Sequence, residues 1–198
     1  DFLLKNFQKF DQKKISFLDE EVLNSTSHFS IVDKFNNVVS VTSSIESSFG
    51  SRLFVDGFFL NNQLTDFSFA VKDENQNLHK NRVQGGKKPL SSMSPLIIFD
   101  ENDNFLMSIG SPGGKAIISY ISRILIEFFY FNKSLFDAIN EPNYIKINGK
   151  IFLEHKSLTK RISEESKVRS LTSGIGIIHK KKNIYYGFAD PRRDGSVR

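Results

Sequence analysis

Residues 105–131 read FLMSIGSPGGKAIISYISRILIEFFYF, which is a short strand pattern, a glycine-rich turn and a long apolar run. The first five residues predict a strand, and the run Ala116–Phe131 predicts a buried helix. A helix that crosses a bilayer needs about 20 consecutive apolar residues, whereas Lys115, Arg123 and Glu127 flank or interrupt this run. The stretch therefore favours a helix packed on a sheet over a membrane segment.

Further strand and helix patterns lie on both sides of this stretch. Hairpin patterns span residues 28–45, 96–109 and 174–188, and shorter strand patterns span 53–60, 144–147 and 150–153. Helical patterns span residues 135–140 and 157–170, and residues 72–88 form a long polar loop. Residues 1–25 are polar and weakly patterned. This order of elements predicts an α+β domain in which helices pack on a largely antiparallel sheet.

The composition is that of a globular domain. Of the 198 residues, 39% are hydrophobic and 25% are charged, which permits a sizeable core and excludes disorder. The net charge is +5, and its two clusters, Lys180-Lys181-Lys182 and Arg192-Arg193, are more typical of a hairpin turn and a charged tail than of a nucleic-acid surface. The absence of cysteine excludes disulfide and thiolate chemistry. His79, His155 and His179 show no metal-ligand spacing.

Thr26 places a hydroxyl at the start of a predicted strand, within Asn24-Ser25-Thr26-Ser27-His28-Phe29-Ser30. A threonine hydroxyl is a weak nucleophile unless a base lies beside it, and no Ser-His-Asp set is evident around His28. Cleavage before Thr26 would supply such a base, because the freed α-amine has an ordinary pKa of about 7.7–8.0. From the residue pattern alone, an ordinary strand start is the commoner interpretation.

The glycine turn Gly110-Ser111-Pro112-Gly113-Gly114 follows a strand and opens a helix, as a phosphate-binding loop does. Such a loop has four residues between its glycines and a Ser or Thr after its lysine. Here three residues separate Gly110 from Gly114, and Ala116 follows Lys115, so the pattern argues against nucleotide binding. Backbone N–H groups at a helix start can instead stabilise an oxyanion; a plain tight turn is the alternative.

Two further polar sets complete the candidate site. Ser91 and Ser92 are adjacent hydroxyls between Pro89 and Pro95, and Glu46, Gln63 and Asp66 are polar residues at strand ends and loops. Taken singly, these residues are more typical of a rigid turn and of a solvated surface. Taken together with Thr26 and the glycine turn, they provide the nucleophile, substrate clamp and oxyanion turn that acyl transfer needs.

In this order the runs resemble the small subunit of gamma-glutamyltransferase, also called gamma-glutamyl transpeptidase, an N-terminal-nucleophile hydrolase. The matching runs are Thr26–Asp33, Phe49–Ser51, Leu60–Gln63, Asp66–Ser68, Lys88–Pro95, Gly110–Gly114 and Ala189–Arg192. The resemblance covers Thr26 to about Arg193, and the Pro-Leu-Ser-Ser-Met and Gly-Ser-Pro-Gly-Gly runs are its most specific part. It implies a four-layer αββα sandwich shared between two subunits. Residues 1–25 would be the tail of the large-subunit region, and residues 26–198 the small-subunit catalytic region.

The resemblance also implies a role for each candidate residue. Thr26 would be the nucleophile, freed by autocatalytic cleavage after Ser25, and its amine would be the base. Ser44, where the family usually has threonine, would hydrogen-bond the nucleophile, and Gly113 and Gly114 would supply the oxyanion N–H groups. The substrate would be held at its α-carboxylate by Ser91 and Ser92, and at its α-ammonium by Glu46, Gln63 and Asp66.

The implied reaction is attack on the γ-amide of glutathione or a related compound. The resulting γ-glutamyl-enzyme ester would pass to water or to the amine of an amino acid or peptide. The implied partner is the large subunit of the same precursor, with no metal, cofactor, nucleic acid or membrane span in this chain. The resemblance implies a periplasmic or extracellular compartment.

Three departures from the family pattern leave alternatives open. Ser44 replaces a threonine, Glu46 replaces an asparagine, and Lys115 replaces the usual Ser or Thr after the glycines. In addition, the segment 69–88 is shorter than in many members and lacks a tyrosine often found in the lid. A glutaryl-type acylase of the same family and a catalytically inactive relative are therefore the alternatives to a gamma-glutamyl enzyme.

Overall fold

The computed structural model describes residues 25–162 and 165–198 as a set of small sheets with helices on one side. Expectations for residues 1–24 lie outside the described residues. The strands are β1 (Thr26–Val32), β2 (Val38–Ser44), β3 (Phe54–Val55), β4 (Phe58–Phe59), β5 (Leu96–Phe99), β6 (Phe105–Gly110), β7 (Tyr144–Ile147), β8 (Lys150–Leu153), β9 (Ser166–Val168), β10 (Gly176–Lys181) and β11 (Ile184–Ala189). The α-helices are α1 (Ile117–Phe129) and α2 (Leu135–Asn140), and short 3-10 helices span Gln63–Asp66, Gly114–Ala116 and Lys156–Arg161.

Two sheets form the centre of the molecule. Strands β1 and β2 pair antiparallel as a hairpin, and β11, β10, β6 and β5 form an antiparallel sheet in that order. The hairpin lies against β6 and β10 of the larger sheet. The predicted hairpins at residues 28–45, 96–109 and 174–188 are confirmed, as is the largely antiparallel sheet.

Helix α1 covers the other face of the larger sheet, and the main core lies between them. Met107 and Ile109 of β6 join this core with Ile117, Tyr120 and Ile124 of α1. Since side chains alternate along a strand, Ser108 and Gly110 of β6 point towards the hairpin instead. Helix α2 begins at the N-cap Ser134, whose hydroxyl oxygen accepts the N–H of Asp137 at 3.0 Å. The predicted buried helix on a sheet is confirmed.

His28 joins the two sheets. Its ring lies over the paired residues Gly110 and Gly176, where an added Cβ would come within 2.2 Å and 3.2 Å of ring atoms. Its Nδ1 lies 2.9 Å from the Thr42 hydroxyl and its Nε2 lies 3.2 Å from the Ser30 hydroxyl. Burial lowers the pKa of His28 to about 4, so the ring is neutral at neutral pH. His28 is therefore a neutral packing group between the layers.

Two sequence expectations are corrected. Residues 53–60 form a small hairpin rather than one extended segment, because Asp56 and Gly57 turn the chain at φ 49° and 90°. The predicted helix at residues 157–170 is wrong: the chain forms the 3-10 helix Lys156–Arg161 and then β9, which pairs in parallel with β8. Pairing with a strand distant in sequence overrides a weak local helical pattern.

None of the helices in residues 25–162 and 165–198 combines the length and apolar character that crossing a membrane requires.

Candidate active site

The register of the first hairpin brings the hydroxyls of Thr26 and Ser44 together. These residues face each other as the last pair of β1 and β2, and Thr26 Oγ1 lies 2.9 Å from Ser44 Oγ. Thr26 is 7% exposed. Ser44 Oγ also accepts the backbone N–H of Glu46 at 2.9 Å, so its position is fixed from two sides. A hydroxyl held this way can orient the Thr26 hydroxyl for attack.

The peptide bond before Thr26 is held by the same hairpin. The N–H of Ser25 donates to the carbonyl of Glu46, and the N–H of Ile45 donates to the carbonyl oxygen of Ser25, both at 3.3 Å. The carbonyl that a Thr26 hydroxyl would attack therefore already accepts a backbone hydrogen bond. Such a donor stabilises negative charge that develops on the oxygen.

The carboxylate of Glu46 is tied to the neighbouring loop. Its Oε2 accepts from Asn62 Nδ2 at 2.7 Å and from the Ser47 hydroxyl. Asn62 also accepts the Ser47 N–H through Oδ1 at 3.0 Å, and its own N–H donates to the carbonyl of Ile45 at 3.3 Å. Asn62 thus fixes both the side chain of Glu46 and the backbone next to Ser44.

Asp66 forms a second carboxylate close to Glu46. Gln63 Nε2 donates to its Oδ2. Partial burial raises the pKa of Asp66 above its ordinary value; the hydrogen bond from Gln63 opposes this rise, the charge of Glu46 adds to it, and Lys115 opposes it. The charges of Glu46 and Lys115 therefore both act on the Asp66 carboxyl. Two carboxylates and one lysine together carry a net negative charge, which suits an ammonium group.

Ser91 and Ser92 lie on the segment that enters β5. The Ser91 hydroxyl accepts the N–H of Met93 at 3.2 Å, and the Ser92 carbonyl accepts the Ser94 hydroxyl at 3.0 Å. Since Leu96 pairs with Ile109, this segment reaches the sheet at the end from which the glycine turn departs. Within the described residues, no hydrogen bond joins either serine to Thr26.

Asn81 links the serine segment to Asp66. Its Nδ2 donates to the carbonyl of Asp66 at 2.7 Å, and its Oδ1 accepts the N–H of Leu90 at 3.0 Å. The side chain of Asn81 therefore bridges the carboxylate loop and the residue that precedes Ser91. This bridge holds the two proposed substrate clamps in a fixed relation.

The glycine turn adopts conformations that few other residues accept. Gly113 has φ 135° and Gly114 has φ 54°, and a Cβ on Gly113 would lie 2.6 Å from the Tyr120 ring. The 3-10 helix Gly114–Ala116 starts here, and N–H groups at a helix start have no acceptor within the helix. These N–H groups are suited to an anion.

The strand that carries Thr26 lies over the start of the glycine turn. Thr26 and His28 point to the same face of β1, about 7 Å apart along the strand, and the His28 ring contacts the position of Gly110. The hairpin thus brings Thr26, Ser44 and the backbone of Glu46 together, and His28 on the same face of β1 contacts the start of the glycine turn. Asn62, Asn81 and Ser111 were given no role from the sequence, because amide and hydroxyl side chains in loops carry no periodic signal.

Comparison with known proteins identifies relatives across most of the chain. A family model described as gamma-glutamyltranspeptidase matches residues 4–198. The glutathione hydrolase proenzyme of Bacillus subtilis (strain 168) is 37% identical over 139 residues, which cover 69% of this chain and 22% of that protein. A putative inactive glutathione hydrolase 4 of Arabidopsis thaliana is 35% identical over 125 residues, which cover 59% of this chain and 64% of that protein.

A solved structure shares the fold. A gamma-glutamyltranspeptidase chain from Pseudomonas nitroreducens matches with a TM-score of 0.74 and 27% identity, over 87% of this chain and 98% of that chain. The expected N-terminal-nucleophile hydrolase fold is therefore confirmed. The matched part of the chain corresponds to 22% of the length of the Bacillus relative.

Proposed function

The chain belongs to the gamma-glutamyltranspeptidase family, and from this premise we propose that it is the small-subunit region of an enzyme that transfers or hydrolyses γ-glutamyl groups. The region would begin at Thr26, and residues 1–25 would end the large-subunit region of the same precursor. The donor would be glutathione or a related γ-glutamyl amide. The observation that carries the proposal is the part-buried contact between Thr26 Oγ1 and Ser44 Oγ, 2.9 Å apart, in which Ser44 Oγ also accepts the backbone N–H of Glu46.

The first step in the proposal is autocatalytic cleavage. The Thr26 Oγ1 attacks the carbonyl carbon of Ser25, the peptide C–N bond breaks, and the proton of the hydroxyl passes to the departing nitrogen. Water then hydrolyses the resulting ester and leaves a free α-amine on Thr26. The N–H of Ile45, which donates to the Ser25 oxygen at 3.3 Å, supports this step by stabilising the oxyanion.

The second step uses the new amine as the base. It takes the proton of the Thr26 hydroxyl while Oγ1 attacks the γ-carbonyl of the donor, and the leaving amine takes the proton as the C–N bond breaks. The N–H groups of Gly113 and Gly114 would bind the oxyanion. Water or an acceptor amine then attacks the γ-glutamyl ester and restores the Thr26 hydroxyl.

Substrate recognition in the proposal follows from charge. Hydroxyl donors at Ser91 and Ser92 suit the α-carboxylate, and Glu46 and Asp66, with Gln63, suit the α-ammonium. The net negative charge of Glu46, Asp66 and Lys115 taken together favours a donor whose free α-amine is protonated.

A full-length precursor containing this chain tests the proposal. We expect the wild-type precursor to separate into two fragments, the smaller beginning at Thr26, and to consume γ-glutamyl-p-nitroanilide. A Thr26→Ala precursor should stay in one piece and be inactive. Ser27→Ala is the matched control, because Ser27 is exposed on the opposite face of β1. Intact-mass measurement and a colorimetric assay read out both properties.

Two results would overturn the proposal. One is cleavage between Ser25 and Thr26, or donor consumption, in the Thr26→Ala protein. The other is a wild-type precursor that remains a single inactive chain. The second result would favour the inactive relative, to which the departures at Ser44 and Glu46 point.

A further inference from the structure

Asp190 is a buried carboxylate that takes no part in the reaction steps proposed above. It follows β11 and is 2% exposed. Its Oδ1 accepts the N–H of Arg192 at 3.0 Å and Arg192 Nη1 at 3.1 Å. Its Oδ2 accepts the Ser173 hydroxyl at 2.5 Å and the N–H of Ile175 at 3.3 Å. The carboxylate therefore clamps residues 173–175 from one side.

Arg192 makes this clamp rigid. Its Nε lies 2.6 Å from Glu154 Oε1, its Nη1 donates to the carbonyl of Ile139 at 2.7 Å, and its Nη2 donates to the carbonyl of Glu141 at 2.8 Å. The guanidinium thus compensates the charge of Asp190 and joins it to the end of α2. A buried charge that is paired and fully hydrogen-bonded resists displacement.

The clamped residues hold the glycine turn. The N–H of Gly174 donates to the hydroxyl oxygen of Ser111 at 3.1 Å, and the Ser111 hydroxyl donates to the carbonyl of Pro112 at 2.7 Å. Ser111 is fully buried. The Pro112 carbonyl belongs to the peptide that carries the N–H of Gly113. A path therefore runs from Asp190 by a hydrogen bond to Ser173, along the chain to Gly174, and by two more hydrogen bonds through Ser111 to the peptide of Gly113.

Direct packing strengthens the same path. A Cβ on Gly174 would lie 2.7 Å from the Pro112 ring, so the two segments are already in close contact. A shift of Gly174 would therefore move Pro112 as well. Well-packed interiors transmit small displacements in this way.

We propose that Asp190, Ser173 and Ser111 are positioning residues that set the orientation of the Gly113 N–H in the oxyanion site. This inference rests on the proposed function, since it assigns the path a role in that reaction. None of the three side chains is among the residues proposed to contact the donor. They act on the rate of acylation by keeping the glycine turn in the geometry that the transition state requires.

The test compares Ser111→Ala with Ser108→Ala in the full-length protein. Both serines are fully buried, three residues apart, but Ser108 Oγ has no hydrogen-bond partner among the described residues. A misplaced donor costs roughly 10- to 100-fold in rate. We expect kcat of the Ser111→Ala protein to fall by about that factor with KM within about twofold, and kcat of the Ser108→Ala protein to stay at the wild-type value. Ser173→Ala and Asp190→Asn should follow Ser111→Ala.

A pair of inhibitors separates positioning from loss of structure. The first inhibitor is a glutamate analogue in which a boronic acid replaces the γ-carboxyl group. The boron can form a tetrahedral adduct with Thr26 Oγ1, and one of its oxygens would then occupy the oxyanion site. Glutamate itself fills the ground-state site only. In the Ser111→Ala protein, we expect boronate affinity to fall by the same factor as kcat, while glutamate affinity stays unchanged.

The outcomes are distinguishable from failure of the proposed function. A wild-type protein that neither cleaves itself nor binds the boronate contradicts the proposed function. An active wild type with equal kcat and equal boronate affinity in Ser111→Ala and Ser108→Ala contradicts the positioning path alone. Equal loss of boronate and glutamate affinity in Ser111→Ala also contradicts it, since that pattern indicates general disruption. If Asp190→Asn fails to fold, the Ser111→Ala and Ser173→Ala proteins still test the positioning path.

Discussion

Glu46 adopts a φ of 71°, in the left-handed region that costs most residues about 1–2 kcal/mol. Asparagine tolerates this conformation better than glutamate does. Glu46, which stands where the family usually has asparagine, adds a second carboxylate to that of Asp66. Asn62 and Ser47 hold this carboxylate by hydrogen bonds. The backbone strain at this position therefore accompanies an extra negative charge in the region where the α-ammonium of a donor would bind.

Asp66→Asn distinguishes a γ-glutamyl enzyme from a glutaryl acylase. A charge-assisted hydrogen bond contributes about 1.5–3 kcal/mol, so kcat/KM for γ-glutamyl-p-nitroanilide should fall about 10- to 100-fold. Turnover of glutaryl-p-nitroanilide, which has no α-amine, should not fall. Asp56→Asn is the control, because Asp56 is an exposed turn residue at φ 49°. Equal losses on the two substrates, or no loss on either, would contradict the assigned role of Asp66.

The contact between Thr26 and Ser44 shows how far the sequence could predict the site. The turn signal at residues 34–37 predicts the hairpin, but the contact depends on the register that pairs Thr26 with Ser44. A slip of one residue would place Ser43 there with its side chain on the other face. The family resemblance identified Ser44 as the hydrogen-bond partner of Thr26, whereas the hydrophobic pattern of the strands could not. The roles of Asn81 and Ser111 in holding loops could not be predicted from the sequence, because they arise only from tertiary contacts.

At the scale of elements, three loops share one turn mechanism. In each, an aspartate Oδ1 accepts the N–H groups two and four residues further along at 2.8–2.9 Å. A residue with positive φ then completes the turn. The three aspartates are Asp33, Asp73 and Asp100. This local chemistry explains why the hairpins at residues 28–45 and 96–109 were predictable from sequence, while β9, which depends on pairing with β8, was not.

Asp100→Ala should weaken the β5–β6 hairpin. The backbone N–H of Asn104 and then that of Asn102 lower the pKa of Asp100, and the neighbouring Asn104 side chain and Lys180 act in the same direction. A carboxyl whose pKa is lowered by folding stabilises the folded state above its ordinary pKa, and this contribution is lost as pH falls through the lowered value.

Thermal unfolding of the full-length protein at pH 7 and pH 3 measures this effect. The Tm of the Asp100→Ala protein should be lower than that of the wild type at pH 7, and the difference should shrink at pH 3. Asp103→Asn keeps a residue that tolerates the φ of 60° and should leave Tm unchanged. A Tm difference that is the same at both pH values would mean that the carboxylate charge is not involved.

At the scale of the whole molecule, the described residues leave one sheet face open. The outer side of the β1–β2 hairpin exposes Phe29, Ile31 and Val39 by 48%, 53% and 45%. Apolar sheet faces are normally covered by another layer. In an αββα sandwich that layer is helical, and α1 and α2 of this chain lie on the other side of the molecule. We therefore expect the large-subunit region to supply the missing helices.

The position of a neutral His28 between the two sheets predicts a specific response of the molecule to acid. Burial lowers the pKa of His28 from 6.5 to about 4, against a smaller opposing effect of a hydrogen bond with the Val41 backbone. Between these two pH values the unfolded chain binds a proton at His28 that the folded chain excludes. The free energy of unfolding should therefore fall as the pH decreases from 6.5 towards 4.

Replacing the ring tests this link between His28 and the layers. In the His28→Gln protein, urea unfolding across this pH range should show a smaller loss of stability with acid than in the wild type, even if stability at pH 7 is lower. Ser27→Ala, at an exposed position of the same strand and with no titratable group, should keep the wild-type dependence. The ring packs directly on the backbone of Gly110 and Gly176, so a proton on the imidazole would place its charge between the two sheets. An unchanged pH dependence in His28→Gln would show that the layers tolerate a charged ring.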